Sequence, residues 1–419
     1  YLGPSHSWKQ SDFHSDSAMC GSCHDVTSPT LGDGQVFRTL ILPDGTPQGQ
    51  DTGRAYPIER TYSEWQHSSY ATTLFSDGLE PDGDAVPGKV VAHTEHCQQC
   101  HMRQAQAPTS DPLAELLACT VGPPRNGNLA THELVGGNAW IPQILKGEYP
   151  DLNRAAAFDR TSAWATQMLA ERTAQVETRA TRTAGGMSVQ VTVTNLAGHK
   201  LPSGYGEGRR MWLDVEVRDA NGVSVWRNGA FDPASGDLSI DAQTKVYEMK
   251  QGLWDESTGS CRTQDAKGRE IFHFVLNNCI AKDNRIPPLG FTGGDDPELA
   301  SYAYSYPETA PGSGIRVNYD TTSYAVPLPS SVAWPVTVEA RLKYQIASKD
   351  YVTFLSEQAK ERGFLPENTL CDGGPGRPYD VGPQDKTRGQ YMYDLWANPA
   401  YGRSPPLDAG QHAVSVAAP

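Results

Sequence analysis

The chain has 419 residues, a net charge of -14 and a modest 38% of hydrophobic residues, with 40 glycines and 31 prolines. That length fits two domains with a helical tail. The acidic balance excludes nucleic acid and polybasic membrane contact as partners, and no apolar stretch approaches the roughly 20 residues of a membrane span.

In chain order, the first informative segment is Cys20-Gly21-Ser22-Cys23-His24, and the pattern returns as Cys97-Gln98-Gln99-Cys100-His101. Cys-x-x-Cys-His is the attachment signature of a c-type haem. Two thiols one helical turn apart add to the two vinyl groups of a porphyrin, and the next residue, an imidazole, becomes the proximal iron ligand. The sequence therefore predicts two covalent haems c, held through Cys20, Cys23, Cys97 and Cys100, with His24 and His101 on the irons. A zinc ribbon would want its cysteine pairs roughly 15–20 residues apart, whereas more than seventy intervene here. A thioredoxin-like dithiol would follow an apolar strand; none precedes either motif, and the histidines would go unexplained.

Residues 1–150 hold both motifs and eight of the eleven histidines, and read as a loop-rich, mostly helical domain packed around haem. Within it, Val36–Leu42 followed by Leu42-Pro43-Asp44-Gly45 predicts a hairpin. Asn153–Arg172 reads as a connecting helix, with Ala157, Trp164, Met168 and Leu169 near one face. Alternation then takes over. Met187, Val189, Val191 and Val193 point one way after a Gly185-Gly186 turn, Leu213, Val215 and Val217 repeat the pattern, and Asp219–Gly222 turns the chain into Val223–Trp226. Further strands are expected at Ile271–Leu276 and Val336–Tyr344. Short strands of this kind make residues 151–348 an antiparallel β-sandwich. A helix capped by Asp350 and stopped by Gly363 opens residues 349–419, whose remainder reads as an irregular tail. The fold class is thus mixed, a haem-packed α region followed by an antiparallel sandwich.

Cys119, Cys261, Cys279 and Cys371 remain. Covalent haem is attached outside the bacterial inner membrane, so the expected location is the periplasm or the cell surface, and these four are expected to form disulfides there. The hairpin-like return around 271–276 suggests Cys261–Cys279, with Cys119–Cys371 as the leftover pair. No charged and then apolar leader stands at Tyr1, which reads as a mature or truncated form.

Several segments together resemble a family of multihaem c-type cytochromes: Phe13–Val26, Arg60-Thr61-Tyr62-Ser63-Glu64-Trp65, Cys97–Met102, His132–Asn138, Asn195-Leu196-Ala197-Gly198-His199-Lys200-Leu201-Pro202-Ser203-Gly204-Tyr205, Glu207–Arg210 and Asn284-Arg285-Ile286-Pro287-Pro288. The resemblance implies a haem domain ahead of a β-sandwich, and it implies His14 as a distal ligand, where a surface histidine is the alternative. His132 precedes Gly136-Gly137, glycines that allow close approach to a flat ring; a buried hydrogen-bonding histidine is the alternative. His199 stands in a Gly-His-Lys-Leu-Pro loop suited to presenting an imidazole to a haem, or to making a structural contact. Family members usually carry further haem motifs upstream of the equivalent of Tyr1, so the haem number depends on whether residues precede it.

The expected function is transfer of electrons between redox partners with basic faces, other cytochrome subunits among them, through haems with histidine on both sides. Two other readings stay open at this point. One is an oxidoreductase with an open-site haem acting on a small nitrogen or sulfur compound. The other is a haem-bearing structural subunit of a larger complex or filament. No convergent acid/base set is legible for the enzyme.

Overall fold

The valine alternation is where the fold is decided. In the computed structural model, which describes residues 11–28, 38–72, 75–76, 92–93, 96–102, 131–272, 276–361 and 386–418, Gly186–Asn195 forms a strand with Met187, Val189, Val191 and Val193 buried. It is the central strand of a three-stranded antiparallel sheet, flanked by Ala174–Thr183 and Tyr319–Pro327. β-branched residues in period two fit a pleated surface with one buried face, and the opposite face of Gly186–Asn195 is exposed or half-buried.

A second antiparallel sheet runs Val246–Tyr247, Arg210–Arg218, Val336–Gln345, Leu407–Val416, with Ser224–Asn228 also paired to Arg210–Arg218. Its Leu213, Val215, Val217, Val338, Ala340 and Leu342 share one core with the valines of the first sheet. This is the face-to-face layering that the alternating segments predict. Arg210–Arg218 is buried on both faces except at its last residue. The non-core face holds polar groups that are paired: Asp214 accepts two hydrogen bonds from Arg227, at 2.9 and 2.8 Å.

The C-terminal region is more ordered than its composition suggests. Lys349–Glu361 and Arg388–Ala397 are helices, and Leu407–Val416 returns as a full strand against Val336–Gln345. Its alternation is weak (Ala409, His412, Val414 and Val416), so periodicity could not find it. His412 then takes a structural place, its Nδ1 accepting the Thr178 N–H at 3.1 Å and tying the two sheets together. Helix Trp140–Glu148 packs Trp140 and Ile144 against Val352 and Trp396.

Other expectations need adjustment. The connecting helix spans Ala155–Arg172 and buries Ser162, Ala165 and Leu169, a face rotated from the one predicted. Ile271 and Phe272 are buried but lie outside any strand, and Leu276 is in a turn; Phe272 packs edge-on against Tyr351 and Phe354 instead. The hairpin is present as Thr39–Leu42 and Gln50–Ala55. Cys261 and Cys279 form a disulfide across the middle strand of a third sheet, Ser260–Arg262, Met249–Asp255, Cys279–Asp283. Gly252 lies beneath the bridge, where a Cβ would stand 3.2 Å from Cys261 Sγ and 2.3 Å from the Arg262 carbonyl oxygen. Cys119, Cys371 and Gly363 fall outside the described residues.

Candidate functional site

The two Cys-x-x-Cys-His segments are neighbours in space. Cys20 lies in the short helix Ala18–Gly21, and the Cys23 and His24 amides donate to the Cys20 carbonyl at 3.0 and 2.9 Å. Cys97–His101 is itself one short helix, capped by a reciprocal contact between His96 and Gln99. Ser17 Oγ accepts the Cys97 N–H at 3.0 Å, and Gln98 Nε2 donates to the Asp16 and His14 carbonyls at 2.8 and 3.2 Å. Gly21 is needed here because a Cβ would stand 2.6 Å from the Tyr62 ring. Tyr62 stacks on Trp65 at 5.6 Å, and Trp65 reaches His96 at 6.2 Å.

None of the four motif cysteines is in a disulfide. Burial pushes the Cys97 thiol up to about 11, and burial likewise raises Cys20, which hydrogen-bonds to Cys97. Reactive or metal-binding cysteines need the opposite, a lowered pKa in electropositive surroundings. Among the described residues no three His, Cys, Asp or Glu side chains converge as a metal site.

Three histidines share one feature. His24 Nδ1 donates to Glu59 Oε1 at 3.0 Å, His101 Nδ1 to the Val135 carbonyl at 2.6 Å, and His199 Nδ1 to the Lys200 carbonyl at 3.0 Å. Carboxylate and carbonyl oxygens only accept, so each neutral ring keeps its proton on Nδ1 and its lone pair on Nε2. That is the arrangement typical of metal-ligating histidine, with the other nitrogen fixed by an outer partner. Burial, with His199 alongside, lowers the His101 pKa and keeps the ring in its neutral, ligating form. The His101 and His199 rings lie 6.2 Å apart, their planes 21° from parallel.

His199 is placed by a buried charge network. Glu64, fully buried in helix Thr61–Gln66, accepts the Lys200 N–H at 3.1 Å and the Ser203 hydroxyl at 2.7 Å, and pairs with Arg285 at 3.0 Å. Lys200, also fully buried, reaches Asp283 at 2.9 Å, and Arg285 pairs with Asp283 at 2.8 Å. Two acids and two bases thus balance, and the Lys200 peptide that orients the His199 ring is held from both sides. Asn195 closes the loop by donating to the His199, Ile286 and Pro287 carbonyls. Sequence reasoning singled out the segments that contain Glu64, Val135, Lys200 and Arg285 without a role for any of the four. Glu59 and Asp283 it missed altogether, and nothing in their local sequence marks them.

The remaining candidates sit at the edge of this assembly. His14 is exposed, with its carbonyl on Gln98. His132 is exposed in a turn, three residues before the Val135 carbonyl that holds His101. Gly137 gives way to the Tyr344 ring, 2.9 Å from where a Cβ would stand, while Gly136 faces open space. His6 and His273 lie outside the described residues.

No protein-family model matches the chain, and no curated protein matches it. Among solved structures it is similar to a penta-heme cytochrome c552 from Thermochromatium tepidum, at 15% identity and a TM-score of 0.39, over 96% of this chain and 57% of that one. The chain therefore spans little more than half of that protein's length. Among the described residues no helix is long and apolar enough to cross a membrane.

Proposed function

We propose that the chain is an exported c-type cytochrome that carries single electrons between redox partners. Haem is held covalently at both Cys-x-x-Cys-His segments, and His199 binds iron opposite His101. The observation that carries this reading is the His101–His199 pair. Two imidazoles bound to one metal at about 2.0–2.1 Å each bring their ring centroids roughly 6 Å apart, and the observed separation is 6.2 Å.

Both rings also carry the required tautomer, and none of the four motif cysteines is in a disulfide. Bound haem supplies a one-electron ferric/ferrous couple. The chain does the rest. Val135 and Lys200 hold the two imidazoles, the Glu64 network fixes the loop that carries His199, and at the His101 site a histidine on each side leaves no position for a substrate. Phe13, Met19, Leu134 and Leu196 expose apolar side chains in segments that carry or touch the motifs, as surfaces that receive a large apolar ligand do. The net charge of -14 suits a partner with a basic face.

The test is expression in a host that matures c-type cytochromes, followed by intact mass under denaturing conditions and absorption spectra with and without carbon monoxide. The wild type carries covalent haem, with a low-spin spectrum at the His101 site. His199→Ala converts that site to a form that binds carbon monoxide. A chain without covalent haem overturns the reading, and an unchanged spectrum in the variant removes His199 as a ligand. His14→Ala and His132→Ala, measured the same way, assign the ligand opposite His24.

A further inference from the structure

The two motif histidines differ in what holds them. His24 donates Nδ1–H to a carboxylate, Glu59, and His101 donates to a peptide carbonyl, Val135. We infer that this difference orders the two redox centres: the His24 side has the lower potential, and an electron placed on the chain rests on the His101 side. The inference rests on the haem reading above.

The physical reason is charge. A carboxylate accepting the Nδ1 proton draws it away and makes the imidazole a stronger electron donor, as outer-shell carboxylates do for metal-bound histidine. A more basic ligand and a nearby negative charge both favour the ferric ion, which carries one positive charge more than the ferrous one. A neutral carbonyl does less on both counts.

The charges around each histidine support the order. Glu59 Oε1 also accepts from Thr61 Oγ1 at 3.2 Å, which holds the carboxylate in place. Among the described residues, His24 is the one basic side chain within ion-pairing distance of Glu59. A second carboxylate, Asp25, adjoins His24 and is held by Ser63 at 2.8 Å. Of the nearby cations, Arg60 pairs with Glu298 at 2.7 Å, while Arg209 donates to the neutral Ser203 carbonyl at 3.2 Å and lies beyond ion-pairing distance of Glu59. On the His101 side the nearest charged side chain of the loop, Lys200, is matched by Asp283.

The experiment is a spectroelectrochemical titration of the full haem-loaded chain at fixed pH, with dithionite as reductant, on wild type, Glu59→Gln and Glu59→Asp. Two waves are expected in the wild type. Glu59→Gln moves the lower wave upward and narrows the gap, leaving the upper wave in place, and Glu59→Asp restores most of the gap. A Cys97→Ser/Cys100→Ser chain, carrying one motif, keeps the lower wave alone. The inference is overturned if Glu59→Gln moves the upper wave or neither, or if the single-motif chain keeps the upper wave. Those results leave the haem reading standing, whereas a chain with no covalent haem removes both.

Discussion

Replacing Glu64 by Gln tests the junction that holds His199. The side chain is fully buried, accepts from Lys200 N and Ser203 Oγ, and forms an ion pair with the Arg285 guanidinium. Gln keeps one accepting oxygen but turns the other site into a donor facing donors. It also leaves Lys200 and Arg285 with Asp283 as their one buried counter-charge. Removing one member of a buried ion pair costs about 3–5 kcal/mol, because a charge is left uncompensated; losing a hydrogen bond to a charged group would alone cost about 1.5–3 kcal/mol. The larger figure applies here, which at ordinary slopes lowers the urea midpoint by about 1–2 M. Urea unfolding followed by circular dichroism measures it. Adding Arg285→Met restores the balance, since Lys200 keeps Asp283, so the double variant costs less than the sum of the two single changes. A loss below about 1 kcal/mol for Glu64→Gln, typical of a surface change, or strict additivity in the double variant, would refute the reasoning.

Two further outcomes concern Asp283 and the disulfide. Burial pushes Asp283 upward, but Arg285 and Lys200 outweigh it and bring the carboxyl down to about 2. The folded value lies below the unfolded one, so the stabilisation is present above pH 4 and lost as pH falls towards 2; Asp283→Asn flattens that part of the stability–pH curve, and a curve of unchanged slope contradicts the assignment. Removing the Cys261–Cys279 bridge, which closes a separation of 18 residues, by a double serine substitution lowers unfolding stability by about 3 kcal/mol; non-reducing peptide maps that recover Cys261 alkylated would show that the bridge does not form.

Where a residue's chemistry is written into its neighbours, the sequence was legible. Strict alternation at Met187–Val193 and Val336–Tyr344 located two central strands, because one buried face demands period two. The cysteine spacing marked both motifs, while the loop of Gly198 and His199, read as suited to presenting an imidazole to a haem, packs its glycine against Trp65, 3.1 Å from where a Cβ would stand. What stayed hidden depends on long-range pairing. Leu407–Val416 is a strand because Val336–Gln345 offers it an edge, not because its own pattern requires one. Ile271 and Phe272 are apolar enough for a strand but are claimed by the helix Lys349–Glu361 through Tyr351 and Phe354. Glu59 meets His24 across 35 residues and Glu64 meets Lys200 across 136, distances at which local composition carries no signal.

The strand Leu407–Val416 also sets an order of events. Its contact with Thr178 joins residues 234 apart, and Ala409 belongs to the shared core of the two sheets. During synthesis, both cysteine motifs emerge some three hundred residues before the segment that completes this core. Closure must pay the entropy of a very long loop before non-local pairing repays it, which makes such topologies slow. The N-terminal segment is therefore reachable by any modifying machinery for the whole interval in which the β layers wait for their last strand.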